Sequence, residues 1–285
     1  MFFHKEYSYL LVGIFDGHGT DGHLVATSIR NRFLLSFLQK GKFQQEEASS
    51  VMRSALSEAE QLLLQDNTIN SKRSGCTANI GLLCFDTEYH VKLTSLNVGD
   101  SECIFSYIVS CRLVMFSKSD KIVHVTSINA AHSLTAVEEQ QRIIESGGVI
   151  SNYQVAPYVP SVPRVFANKE CTRGGLAMSR SLGDQLIHRF GVISDPTFEV
   201  LDFADSRSGE MILLFGSDGF LAYADKNEVA SFFLNTTELE NSLSLALHYA
   251  QTYLLSLTQQ KYADDTSGVA VVLHHRKFRE SKTAI

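Results

Sequence analysis

Three aspartates stand at the ends of apolar runs: Asp16 follows LLVGIF, Asp218 follows ILLFGS, and Asp264 precedes GVAVVL. Carboxylates at neighbouring strand ends can converge on one point in space. A donor set made of oxygen alone suits Mg²⁺ or Mn²⁺ better than zinc. Glycine follows Asp16 and Asp218, and a residue without a Cβ lets a backbone carbonyl approach an ion as well. Taken singly, each aspartate reads more readily as an exposed turn residue. The context they share is what points to a metal centre.

A histidine lies two residues beyond the first aspartate. Residues 15–23, FDGHGTDGH, carry the triplet Asp-Gly-His twice, at 16–18 and 21–23. The first copy ends a strand-like run, YSYLLVGIF at 7–15, whereas the second opens a segment with Leu24, Val25, Ile29, Phe33, Leu34, Phe37 and Leu38 at helical spacing. Thr20 or Asp21 is placed to cap that helix, so the second copy is expected to begin it and His23 to be a surface residue. A hairpin turn does not account for the first copy, because the chain beyond it turns helical rather than extended.

These residues need a scaffold to bring them together. A chain of 285 residues, 44% of them hydrophobic, can bury a full core as one domain. Amphipathic spacing predicts further helices over 46–66, 136–146, from Asp225, and over 238–257. Extended runs at 77–85, 89–98, 101–109, 112–117 and 121–127 read as an antiparallel meander, followed by strands at 210–217 and 268–275. Thr135 to Glu138 has the form of a capping box, and Gly147-Gly148 the form of a helix stop. Residues 151–170 hold Pro157, Pro160 and Pro163 and predict one long irregular, flap-like segment. Paired helices between groups of strands give a layered α+β class, with no repeat or linker to divide residues 1–285.

Composition narrows the function. The formal net charge of −6 comes from interspersed charges without a basic block, so neither nucleic acid nor a membrane surface is an expected partner. Cys76, Cys84, Cys103, Cys111 and Cys171 are odd in number and lack CxxC spacing, which argues against a disulfide framework or a zinc knuckle. The N-terminal apolar run is too short for a signal peptide. The expected setting is intracellular, cytoplasmic or nuclear, and the expected state a monomer.

Eight blocks, in order, resemble the metal-dependent (PPM, type 2C) protein serine/threonine phosphatases: VGIFDGHGT (12–20), SGCTANIGLL (74–83), LNVGDSECI (96–104), EEQQRIIESGGVI (138–150), GGLAMSRSLGD (174–184), FGVISDP (190–196), LLFGSDGF (213–220) and ADDTSGVAVVL (263–273). The resemblance implies a central antiparallel β-sandwich flanked by paired α-helices, a four-layer α/β/β/α arrangement. It also implies hydrolysis of phosphoserine and phosphothreonine in a phosphoprotein substrate, using two Mg²⁺ or Mn²⁺ ions and a weaker third. Asp16 matches the residue that bridges two ions, and Gly17 the one that lends its carbonyl. Asp218 and Asp264 match further ligands, with Asp265 a competing choice for the last, and Asp100 matches the ligand of the third ion, its alternative being a hairpin turn. His18 matches the general acid that protonates the departing serine or threonine oxygen, the attacker being hydroxide from a water bridging the ions. Arg180 is expected to form a buried ion pair that supports the metal loops, with Asp184 as its partner or as a helix-start residue.

The resemblance also has gaps. The family's N-terminal strand, with a phosphate-binding Arg and an acidic pair, is not matched upstream of Asp16, and a longer form carrying it is the expectation. Leu221-Ala222 replaces an aromatic-acidic pair, Ala131-His132 replaces Asp-His, and Glu102 stands where a basic residue is common. A pseudophosphatase, binding a partner without turnover, is therefore the alternative to an active enzyme. Some other two-metal phosphoesterase would share the ions but leave the ordered blocks unexplained.

Overall fold

A computed structural model describes residues 2–4, 9–41, 45–85, 91–110, 121–154, 161–203, 210–233 and 238–274. In chain order the elements are β1 (Phe2–His4), β2 (Tyr9–Ile14), β3 (Gly17–His18), α1 (Gly22–Gln39), α2 (Ala48–Leu64), β4 (Gly75–Cys76), β5 (Ala78–Phe85), β6 (Val91–Val98), β7 (Glu102–Ser110) and β8 (Lys121–Ser127). They continue with α3 (Val137–Glu145), β9 (Val149–Tyr153), β10 (Val162–Phe166), β11 (Gly174–Leu176), β12 (Leu182–Gly183), α4 (Gln185–His188), β13 (Thr197–Asp202), β14 (Glu210–Gly216), α5 (Asp218–Leu221), α6 (Lys226–Ser231), α7 (Leu239–Leu257) and β15 (Gly268–His274).

Alternation along the strands builds the layers. On β14, Met211, Leu213 and Phe215 point into one core while Ile212 and Leu214 point into another, as a period of two requires. The sheet β1-β2-β5-β6-β13 stacks on the sheet β15-β14-β7-β8 through Val12, Ile14, Leu83, Leu93, Leu213, Phe215 and Val271. Gly81 is part of this interface: a Cβ there would come within 2.3 Å of the Phe215 ring, so the glycine leaves the space that the ring fills. The outer faces are covered by helices. Val25, Ile29, Phe33 and Phe37 of α1, spaced by four, pack with Met52, Leu56 and Leu63 of α2 on the first sheet. Each such fully buried side chain contributes about 1.5–3 kcal/mol. Helices α5, α6 and α7 cover the second sheet through Phe220, Val229, Ala246 and Ala250. The result is the expected four-layer α+β sandwich.

Several local expectations change. The extended runs do not form one meander: β5 and β6 pair in the first sheet, β7 and β8 in the second, and the chain crosses between sheets at 99–101. The run 112–117 lies outside the described residues. The segment 151–170 is not irregular throughout, because β9 and β10 pair antiparallel and β11 joins them; residues 155–160 lie outside the described residues. Pro163 lies before the stretch paired to β11, where β10 has a neighbour on one side only, a position that tolerates a missing N–H. The capping box is not made either. Ala136 is the N-cap of α3 and offers no side-chain bond, while Thr135 bonds Ser133. The helix stop does form: Gly147, at φ +82°, donates its N–H to Ile144 O, and Gly148 N–H reaches Ile143 O.

Candidate metal centre

A sheet of three very short strands, in the order β12-β4-β3, places the histidine. His18 pairs with Gly75, and Gly75 with Gly183, so the residue after Gly183 comes up beside the imidazole. His18 Nε2 lies 2.5 Å from Asp184 Oδ2. Gly75 makes that contact possible, since a Cβ there would fall 2.1 Å from Asp184 Oδ2 and 2.7 Å from His18 Nε2. Asp184 is therefore not the partner of Arg180; it is the helix-start residue, the N-cap of α4, whose carbonyl accepts from Ile187 N–H at 2.8 Å while its side chain is turned to His18. It adopts φ +41°, its side chain makes no capping bond, and its N–H is held by Ser74 O at 3.1 Å. The left-handed turn aims the carboxylate at His18. Arg180 instead donates to Glu139, with Nη2 at 2.7 Å, and Glu139 also accepts both Nη groups of Arg142 at 2.8 Å. These partners outweigh the effect of burial and hold the Glu139 carboxyl well below its ordinary range.

Burial lowers the affinity of His18 for a proton, but the hydrogen bond and charge of Asp184, together with the Asp100 and Asp16 charges, more than offset it, and the His18 pKa is raised. The protonated imidazole can donate from Nε2 to Asp184 and retain an N–H at Nδ1. Its side chain is 28% exposed, and His18 lines a cleft.

Four aspartates gather beside it, all at one end of the sandwich. Asp16 lies just past β2, Asp218 begins α5 just past β14, Asp264 precedes β15, and Asp100 lies on the crossing between β6 and β7. That crossing replaces the hairpin turn open to Asp100, because β6 and β7 belong to different sheets. Thr77 joins two of the four: its Oγ1 accepts from Asp16 N–H at 3.1 Å and bonds Ser101 Oγ at 2.7 Å. Ser217 joins the other two loops, donating Oγ to Asp265 O at 3.0 Å and accepting from Ser267 N–H at 3.1 Å. Asp264 is half-buried and accepts from the Tyr262 hydroxyl at 3.0 Å, whereas Asp265 is exposed.

The electrostatics show that like charges have been forced together. Burial, then Asp218, Asp100 and Asp264, push the Asp16 carboxyl up to about 8. Burial and Asp218 push Asp100 up to about 7, and burial and Asp264 raise Asp218. Asp218 is the neighbour that raises Asp16 most after burial, and two carboxylates crowded in this way are relieved by a proton or a cation between them. Among the described residues no three His, Cys, Asp or Glu side chains stand close enough as they are to hold one ion. An all-oxygen cluster of repelling carboxylates still fits a hard divalent cation. Mg²⁺ commonly takes one or two carboxylates and keeps water on its other positions.

The two Asp-Gly-His triplets lie against each other. A Cβ on Gly17 would come 2.3 Å from Gly22 O, and one on Gly22 would come 2.6 Å from the Gly17 carbonyl carbon. Asp21 is the N-cap residue of α1 without a side-chain capping bond; its Oδ2 instead accepts from Asn70 N–H at 2.9 Å. His23 is exposed. Sequence reasoning missed Tyr223 and Tyr262. Burial first, then Asp218 and Asp264, raise the hydroxyl pKa of Tyr223, and the same burial and Asp264 raise that of Tyr262. Only their distance in sequence from each strand-end motif gave a clue. His132 is buried, accepts Gly99 N–H at Nδ1 (3.0 Å) and meets Thr197 Oγ1 at Nε2 (3.1 Å), so it buttresses the turn before Asp100.

A cleft of ≈ 520 Å³ opens onto His18, Asp100, Asp184 and Asp218. A family model described as protein phosphatase 2C matches residues 5–249. Probable protein phosphatase 2C 61 of Arabidopsis thaliana is 25% identical over 270 residues, covering 93% of this chain and 76% of that protein. Probable protein phosphatase 2C 59 of Oryza sativa subsp. japonica is 27% identical over 211 residues, covering 73% of this chain and 52% of that protein. Among solved structures, a C. elegans sex determining protein aligns with a TM-score of 0.64 at 18% identity, over 95% of this chain and 58% of that one. A phosphatase from a pathogenic strain of Toxoplasma gondii aligns with a TM-score of 0.63 at 17% identity, over 94% and 85%. Fold, ordered motifs and family match coincide: the chain belongs to the protein phosphatase 2C family.

Proposed function

We propose that the chain hydrolyses phosphoserine and phosphothreonine in protein substrates. The observation that carries this reading is the gathering of Asp16, Asp100, Asp218 and Asp264 beside the His18–Asp184 pair, with Asp100 and Asp218 on the lining of the same cleft. Asp16 with the Gly17 carbonyl, Asp218 and Asp264 would hold two divalent ions, and Asp100 a weaker third. Mg²⁺ or Mn²⁺, when bound, supplies an acidified water and positive charge for the phosphate oxygens. Asp184 fixes the imidazole ring through Nε2 and stabilises its cationic form, as the carboxylate of a His–Asp pair does. The Nδ1 proton of His18 then passes to the serine or threonine oxygen as the ester bond breaks, so that the leaving group departs as an alcohol.

Cys76, Cys84, Cys103 and Cys171 are unpaired, which supports a reducing, intracellular setting. Among the described residues no helix is long and apolar enough to cross a membrane. The second reading, a cleft that binds phosphoproteins without turnover, draws on the absence of a three-residue ligand group among the described residues. Phosphate release from a phosphothreonine peptide, with and without Mn²⁺, decides between them. Mn²⁺-dependent release that chelator abolishes is expected, and an inert chain at saturating metal would establish the second reading.

A further inference from the structure

The cleft that ends at His18, Asp100 and Asp218 carries the opposite charge elsewhere on its lining. Lys72 and Arg73, from the loop between α2 and β4, line it together with Arg164 of β10 and Arg173 of the turn before β11. Among the described residues none of these four makes a salt bridge, whereas Arg32, Arg53, Arg142 and Arg180 each have a carboxylate partner. Arg164 donates Nη1 to Gly175 O at 2.5 Å, and its buried Nε has no hydrogen-bond partner. A buried donor left unpaired in a native fold costs stability, and its position on a cleft wall points to an acceptor that is not part of this chain.

The backbone that carries these cations is firmly seated. Lys72 O accepts from Leu186 N–H at 3.1 Å, and Arg173 O accepts from Ala167 N–H at 2.8 Å. Arg73 O packs against Gly19, the residue after His18, so closely that a Cβ on Gly19 would approach it to 2.5 Å. The side chains of Lys72, Arg73 and Arg173 are exposed. Four like charges that share a cleft without an ion-pair partner among the described residues repel one another, which costs the fold stability. They suit a polyanionic ligand, and guanidinium groups match carboxylate and phosphate oxygens in pairs.

We propose that this basic wall is a subsite for a second anionic group of the substrate, so that the preferred proteins carry acidic residues or a further phosphate close to the phosphoserine or phosphothreonine that is hydrolysed. The proposal rests on the phosphatase reading above and extends it to substrate choice.

Three phosphothreonine peptides test it, flanked by Asp/Glu, by a phosphoserine, or by Ala. Binding is measured by fluorescence anisotropy on the metal-free chain, and turnover by phosphate release with Mn²⁺. The anion-flanked peptides are expected to bind and to turn over about tenfold better than the Ala peptide, the sum of several partly exposed ion pairs. That preference should shrink as salt rises from about 50 to about 500 mM. The double variant Lys72→Glu/Arg73→Glu should abolish or invert it, Arg164→Gln should reduce it, and Arg189→Glu, an exposed reversal away from the cleft lining, should preserve it. A gain with phosphoserine alone would assign the anion as phosphate, and equal gains would assign any acidic group. A wild-type preference near unity, or one that survives the double reversal, would overturn the subsite. Selective, wall-dependent binding without any phosphate release would leave the subsite standing and remove the phosphatase reading. Release without preference would do the reverse.

Discussion

The contact between His18 and Asp184 is what would let a histidine on a two-residue strand act as an acid, the role proposed for it above. A nitrophenolate leaves without help, whereas a serine alkoxide needs a proton, and a general acid contributes about 10²–10⁴-fold. His18→Ala should therefore lose about that factor on a phosphoserine peptide and far less on p-nitrophenyl phosphate; equal losses on both would remove the acid role. Asp184→Asn should show the same pattern with a smaller loss, and His23→Ala should show neither. The crowding of carboxylates makes a second prediction. Asp218→Asn removes one repelling charge beside Asp16, so in chelator at neutral pH the variant should melt at a higher temperature than wild type, while metal-dependent activity is lost. A lower melting temperature in chelator would contradict the repulsion. The aspartates at strand ends were legible in the sequence because each follows or precedes an apolar run. The partner of His18 was not, since Asp184 is 166 residues away and Gly75, which admits it, carries no side chain to reveal its role.

Among the elements, α3 shows how a motif can be right in place and wrong in detail. Its Gly147-Gly148 stop forms as written, but Ser133 bonds Thr135 and leaves Ala136 as the N-cap. The helix is secured instead through Glu139, whose carboxylate is 9% exposed and faces both Arg142 and Arg180. Removing the acid from a buried pair strands two guanidinium groups. Glu139→Ala should thus cost about 3 kcal/mol in urea denaturation. A change below about 1 kcal/mol, the range of exposed pairs, would mean that the cluster is effectively solvated. Strand positions were legible from composition, yet sheet membership was not. Consecutive strands ordinarily pair, and only Gly99 at φ +103°, with Asn79, Asn97 and Asn129 bonded beneath the turn, marks where the chain leaves one sheet for the other.

At the scale of the whole molecule, two buried groups set an acid limit. Burial, then the Arg180 charge, lower His132 from 6.5 to about 4, so the unfolded chain binds a proton that the folded one refuses. A depressed pKa contributes stability above the unfolded value and loses it as pH falls through the folded one. For His132 the window runs from pH 6.5 down to about 4, and the loss is at most about 3 kcal/mol. Glu139 has the same sign and acts lower, below its ordinary 4.5. The raised aspartates act with the opposite sign, so the comparison is with His132→Gln, which binds no proton: from pH 6.5 to 4 wild type should lose melting temperature relative to this variant, and parallel profiles would show that His132 is not insulated from water.

Asp16 leaves one sheet, Asp218 leaves the other, and Phe215, three residues before Asp218, fills the hollow above Gly81 on the facing sheet. The distance between the carboxylates is thus a caliper reading of how far apart the two sheets lie, and the aromatic ring sets the jaws. Gly81→Ala, which touches no acidic residue of the centre, should spread them, weakening Mn²⁺ affinity measured by calorimetry while circular dichroism still reports a folded sandwich. Unchanged affinity would mean that the loops carrying the aspartates float free of the sheets that bear them.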